Sequence, residues 1–237
     1  MPNSWRSRLK RLIPPPLLNH ALLSAPILYR TALVNYETNM GPPEIEDLNE
    51  ILPEVVKVPG DLIECGSSRC GSAVITALWL RKHGVNRRLF ACDSFEGFRP
   101  AEIEKETQRG LTTVANNAFT STSYEYVQRK LKVLGLDGII IPVEGYFQDT
   151  LEGVPGPFCY ALIDCDLEES AEYCASVLFP KLSPGGWMVF DDYSSQQFKG
   201  VRHAVDRFVR DYRQRIDVNE LRRALYVVHK KRGTAAG

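Results

Sequence analysis

The chain lacks net charge, a Cys-x-x-Cys pair, an unbroken apolar run of membrane-spanning length, an internal repeat and any low-complexity tract. Lys plus Arg and Asp plus Glu both number 29, so no global basic field points to nucleic acid. The basic clusters at the two ends (Arg6, Arg8, Lys10, Arg11 and Lys230, Lys231, Arg232) read as solvated tails. A transmembrane helix needs about twenty uninterrupted apolar residues. The stretch from Leu12 to Leu23 is broken by Pro14, Pro15, Pro16 and His20 and carries no clear cleavage signal. Histidine is scarce: His83, His203 and His229 read as surface residues, and His20 lies in a segment without a readable pattern. The six cysteines, at 65, 70, 92, 159, 165 and 174, read as reduced thiols packed as small hydrophobes, which makes the cytoplasm the expected location.

What is present is an ordinary globular share of hydrophobic residues, 44% of 237, enough for one α/β domain with an N-terminal appendage. Residues 1–54 form a Pro-punctuated, partly amphipathic extension, expected to be helical pieces packed on the main domain or on a partner chain. The apolar stretch from Leu12 to Leu33 offers a surface for self-association. From 55 to 237 the pattern becomes regular. Strands are expected at 61–65, 88–92, 138–143, 158–163, 187–190 and 223–229, with helices at 72–83, 123–134, 170–178 and 201–212. Short apolar runs alternating with helical periods predict a doubly wound, mostly parallel sheet. The polar stretch 99–122 shows no period and is expected to be a functional loop, a lid or substrate wall.

Chemistry concentrates where these strands end. Asp191-Asp192-Tyr193 follows the hydrophobic run Gly186 to Phe190, and Asp164 and Asp166 follow Phe158 to Ile163. Adjacent carboxylates at the ends of buried strands repel one another and call for a cation, which two neighbouring parallel strands would hold in an all-oxygen site. The first strand ends in Glu64-Cys65-Gly66-Ser67-Ser68-Arg69-Cys70-Gly71, a glycine turn before a helix, and the second in Asp93-Ser94-Phe95-Glu96-Gly97. An acid at the end of the second strand is where nucleoside-binding sheets hold a ribose diol. A bland reading competes: Glu64 and Asp93 as caps, Asp164 and Asp166 capping the helix near Glu168, and Asp191 and Asp192 in a solvated turn.

Taken in order, Gly60 to Gly66, Asp93 to Gly97, Ile163 to Ser170, Leu182 to Gly186 and Asp191 to Tyr193 resemble the blocks of the macrocin O-methyltransferase family. That resemblance covers about residues 55 to 210. It implies a class I, Rossmann-like methyltransferase fold with strand order 3-2-1-4-5-7-6, and S-adenosylmethionine and a divalent cation such as Mg²⁺ as cofactors. It further implies methylation of a sugar hydroxyl on a small-molecule acceptor. Carried over by position, Glu64 and Gly66 would line the methionine end of the cofactor, Asp93 the ribose, Ser94 and Phe95 the neighbouring wall, and Gly145 and Phe147 the adenine side. Asp164, Asp191 and Asp192 match metal ligands and Asp166 the general base. The chain departs from the family at Cys70, where a glycine is usual, and at Cys165, where Gly or Ala is usual.

Elementary chemistry supports those roles. A hydroxyl is a poor nucleophile until a nearby divalent cation lowers its pKa, and a base two residues after a ligand can reach its proton. Two other functions remain at this point: a nucleotide-sugar glycosyltransferase, because Asp-x-Asp also describes its metal site, and a non-catalytic binding protein on the same fold.

Overall fold

The computed structural model describes residues 15–25 and 37–232; the basic cluster at 6–11 and half of the apolar stretch 12–33 lie outside them. In chain order the elements are α1 (Pro15–Leu22), α2 (Pro42–Val55), β1 (Asp61–Cys65), α3 (Gly71–Lys82), β2 (Leu89–Asp93), α4 (Pro100–Gln108), α5 (Tyr124–Leu134) and β3 (Ile140–Glu144). A helical turn Phe147–Thr150 leads to β4 (Phe158–Ile163), α6 (Glu168–Lys181), β5 (Leu182–Phe190), α7 (Lys199–Asp211), β6 (Ile216–Leu221) and β7 (Tyr226–Lys230).

The seven strands run in the order β3-β2-β1-β4-β5-β7-β6, as the resemblance implies. The first five are parallel, and β7 is antiparallel to both β5 and β6. Every residue of β4 is buried, because helices cover both faces of the central sheet. On one face Leu62, Ala91, Leu162 and Val189 meet α2, α3 and α5; on the other Ile63, Cys92, Ile163 and Met188 meet α6 and α7.

Helix α2 crosses the boundary expected at residue 54 and shares a core with β1. Leu48, Ile51, Leu52 and Val55 recur at helical spacing and are buried. Its Asp47 carboxylate, also buried, accepts from the backbone N–H groups of Ala224 (2.9 Å) and Leu225 (3.1 Å) and pairs with Arg223 at 3.0 Å. Those bonds tie the start of the domain to the β6–β7 hairpin.

Four expectations are corrected. The stretch 99–122 contains α4, which opens with Pro100 in its first turn and buries Glu102, Ile103 and Glu106; a buried face that is two-thirds acidic reads in sequence as solvated. Strand β6, which the implied seven-strand order requires, had no expected position, because all but its first residue are exposed and it carries no hydrophobic run. Helix α6 continues through Pro180 instead of ending before it, since a proline in the last turn interrupts little. Lys230, assigned to a solvated tail, is buried and donates to the carbonyls of Phe179 (2.8 Å), Pro180 (3.4 Å) and Leu182 (2.5 Å), satisfying the end of α6.

Candidate active site

The carboxyl ends of β1, β2, β4 and β5 open onto a cavity of about 420 Å³. Parallel sheets place ligands there, outside the strand ends. Gly66, with φ +91°, lets the first turn touch the fourth strand: a Cβ on it would lie 1.7 Å from the carbonyl oxygen of Asp164. Asp93 binds that turn to the end of β2, one carboxylate oxygen accepting from Ser68 N–H at 2.8 Å and the other from Phe95 N–H at 2.7 Å. Burial raises its pKa against the pull of those two donors.

Glu64 is fully buried behind the turn. Burial pushes its pKa up to about 7, opposed by hydrogen bonds from Ser72, whose hydroxyl lies 2.8 Å away, and from Ser67.

The acidic pairs converge on the same cavity. Carboxylate oxygens of Asp164, Asp166 and Asp192 all lie within 4.8 Å of one another. Asp191 stands beside them and accepts from Asp192 N–H at 2.8 Å. Asp166 (φ 63°) and Asp192 (φ 60°) adopt left-handed backbone, a conformation aspartate tolerates better than most residues. Burial first, then the neighbouring aspartates, drives Asp164 and Asp166 well above the carboxylate range and raises Asp191 to about 7. Among the described residues no basic side chain forms an ion pair with any of the four, and none figures among the main causes of these shifts. The capping reading fails for Asp164 and Asp166, because the N-cap of α6 is Leu167 with no side-chain bond.

Of the residues singled out in the sequence, Gly66, Asp93, Ser94, Phe147, Asp164, Asp166, Asp191 and Asp192 line the cavity. Glu64, Phe95 and Gly145 do not. Phe95 turns its ring into the core against Tyr124 and offers the site only its N–H, while Gly145 donates its N–H to the Asp93 carbonyl at 2.9 Å.

The remaining walls come from the stretch 99–122, as expected of a substrate wall, and from segments with no role legible in the sequence. Arg99 pairs with Asp149 at 2.7 Å and lies over the Tyr146 ring. Glu102 accepts from Ser170 Oγ (2.5 Å) and Gln148 Nε2 (2.7 Å), so α4 is joined to α6 and to the turn after β3. Phe98 packs edge-on against Phe119 and Phe198. Asn39, Met40 and Glu44 close the side nearest α2. The i, i+4 spacing of Glu102 and Glu106 after Pro100 was the available signal for α4.

Comparison with known proteins places this geometry. Residues 34–225 match the family described as Macrocin-O-methyltransferase (TylF). An 8-demethyl-8-(2,3-dimethoxy-alpha-L-rhamnosyl)-tetracenomycin-C 4'-O-methyltransferase from Streptomyces olivaceus is 34% identical over 69% of this chain, and the match spans 61% of that relative. Demethyldecarbamoylnovobiocin O-methyltransferase from Streptomyces niveus is 31% identical over 78% of this chain and 70% of its own length. The O-methyltransferase NovP superposes with a TM-score of 0.70 at 26% identity, covering 82% of each chain. With a glycine turn after β1, an acid after β2, four aspartates after β4 and β5, and a family match over most of its length, the chain belongs to the macrocin O-methyltransferase family.

Proposed function

We propose that the protein is a divalent-metal-dependent O-methyltransferase that moves the methyl group of S-adenosylmethionine to a hydroxyl of a small molecule, a sugar of a glycosylated natural product. The observation that carries this reading is the group of four half-buried aspartates at the strand ends, beside the glycine turn, with no ion-pair partner among the described residues. Carboxylates crowded out of water without a basic partner suit a hard cation and little else.

Mg²⁺ or a similar ion would be held by Asp164, Asp191 and Asp192, and when bound it lowers the pKa of an adjacent hydroxyl. Asp166, within the same few ångströms, takes the proton released by the acceptor. The cofactor supplies the electrophilic methyl group. Asp93 keeps a free lone pair on each oxygen for the ribose diol, Gly66 admits the chain of the cofactor past the β1 turn, and Ser94 and Phe147 flank it. Glu64, buried behind the turn and outside the cavity lining, would act on the methionine end only through its charge, its ionisation favouring an ammonium group. The sugar acceptor is supported by the name of the tetracenomycin relative, whose acceptor carries a rhamnosyl group, and a natural-product acceptor also by that of the novobiocin relative.

Calorimetric titration tests both halves of the site. S-adenosylmethionine and Mg²⁺ are each titrated into the wild-type protein and into the Asp191→Asn/Asp192→Asn double variant. Micromolar cofactor binding in both proteins, with metal binding lost in the variant, supports the proposal. Absence of cofactor binding to the wild type overturns it.

A further inference from the structure

We infer that Arg69 is a positioning residue that couples occupancy of the Gly66–Cys70 turn to closure of two separate walls of the cavity. It rests on the cofactor reading above. The first wall is the strap at 37–41, which brings Asn39 and Met40 to the cavity; the second is the loop at 117–123, which brings Phe119. One guanidinium holds both. Arg69 pairs with the Glu37 carboxylate at 3.5 Å and donates to the Ser121 carbonyl and, at 2.8 Å, to the Ser121 hydroxyl. A planar fork with five donors can span two partners in this way, which a single ammonium does poorly.

Each wall also rests on the cofactor-binding turns themselves. A Cβ on Gly71 would lie 2.3 Å from Thr38 Cα, so the strap lies directly on the start of α3. A Cβ on Gly97 would lie 2.7 Å from the Ala118 carbonyl oxygen, so the loop lies on the turn after β2, whose Asp93 holds Ser68. The anchor of the strap is built for rigidity at the turn. Glu37, in left-handed backbone at φ 63°, accepts from Tyr126 Oη at 2.7 Å and lies 3.2 Å from the buried Lys130 ammonium, which in turn donates to the Arg69 carbonyl at 2.5 Å. A ligand that orders the turn therefore fixes the backbone of Arg69, and both walls are ordered at less further entropic cost.

Hydrogen exchange on the full chain, with and without S-adenosylhomocysteine, tests this. In the wild type the ligand should slow exchange in 37–41 and 117–123 together, by about fivefold or more. In Arg69→Lys bound ligand should still slow exchange in the turn at 66–68 while the joint protection of the two walls is lost. Joint protection that persists in Arg69→Lys, or a ligand-bound wild type in which only one wall responds, overturns the coupling. Failure of the wild type to bind the ligand sinks the cofactor reading and this inference with it. Should Arg69→Lys unfold at the assay temperature, Glu37→Gln keeps the side-chain shape and releases only the strap: protection should vanish at 37–41 and remain at 117–123, and protection retained at both would count against Arg69.

Discussion

Asp166 and Asp191 trade places according to whether the aspartates are sorted by resemblance or by proximity. The resemblance makes Asp191 a ligand and Asp166 the base, whereas the closest carboxylate trio is Asp164, Asp166 and Asp192. Two single variants separate the roles. Asp166→Asn is expected to lower turnover by about 10² while leaving Mg²⁺ titration nearly unchanged. Asp191→Asn is expected to weaken Mg²⁺ binding, and calorimetry on both variants checks the pair; the reverse pattern would exchange the two roles. The four aspartates were legible because charge placed directly after a hydrophobic strand run has few structural uses. The left-handed backbone of Asp166 and Asp192, which sets where their carboxylates meet, was not, since nothing in an aspartate's neighbours announces φ. Phe95 misled for the converse reason: its position after Asp93 suggested a wall, yet the same left-handed twist (φ 56°) sends its ring into the core.

Elements place these residues, and two contacts between elements are open to direct test. Gly66→Ala would drive a methyl group into the Asp164 carbonyl and force a side chain onto φ +91°, so a cost of about 3 kcal/mol is expected, along with loss of cofactor binding. Urea unfolding and a ligand titration measure the two effects. Lys230→Met keeps the volume of the buried stem but strips the α6 carboxyl end of the donor to three carbonyls, and should cost about 3 kcal/mol by the same unfolding assay. The parallel strands and the helices between them were legible because burial on both faces writes an uninterrupted apolar run. Helix α4 was not. Its buried face is anchored by acids: Glu102 takes the Ser170 hydroxyl, and Glu106 takes the Glu168 N–H at the start of α6, where the helix dipole favours negative charge. Hydrophobic periodicity cannot report a helix docked in that way.

Across the whole molecule the buried acids set how stability follows pH. Burial raises Glu64 from the ordinary carboxylate range to about 7, and Asp191 likewise, with the charge of Asp192 adding to the latter. Between roughly pH 4.5 and 7 the folded chain then holds protons that the unfolded chain has released, so stability falls as pH rises through that window and levels off above it. For Glu64 alone the difference is about 3 kcal/mol. Asp47 and Glu168 act oppositely, because hydrogen bonds outweigh their burial and lower them, but their effect lies below the ordinary carboxylate range. Metal-free protein should therefore melt higher at pH 5.5 than at pH 8, and Glu64→Gln should flatten the profile; thermal denaturation across that range checks both.

The acid-anchored docking of α4 reaches beyond stability. The segment between β2 and α5 shapes much of the cavity, yet its helix is held to α6 through carboxylates gripping a hydroxyl and a backbone N–H, with Ile103 its one buried apolar side chain. A wall attached mainly by polar fasteners, one of them to a backbone N–H of the kind every helix start possesses, can be exchanged as a cassette while the sheet and the carboxylates at its strand ends stay as they are. Such a fold can diversify what it accepts without renegotiating how it reacts.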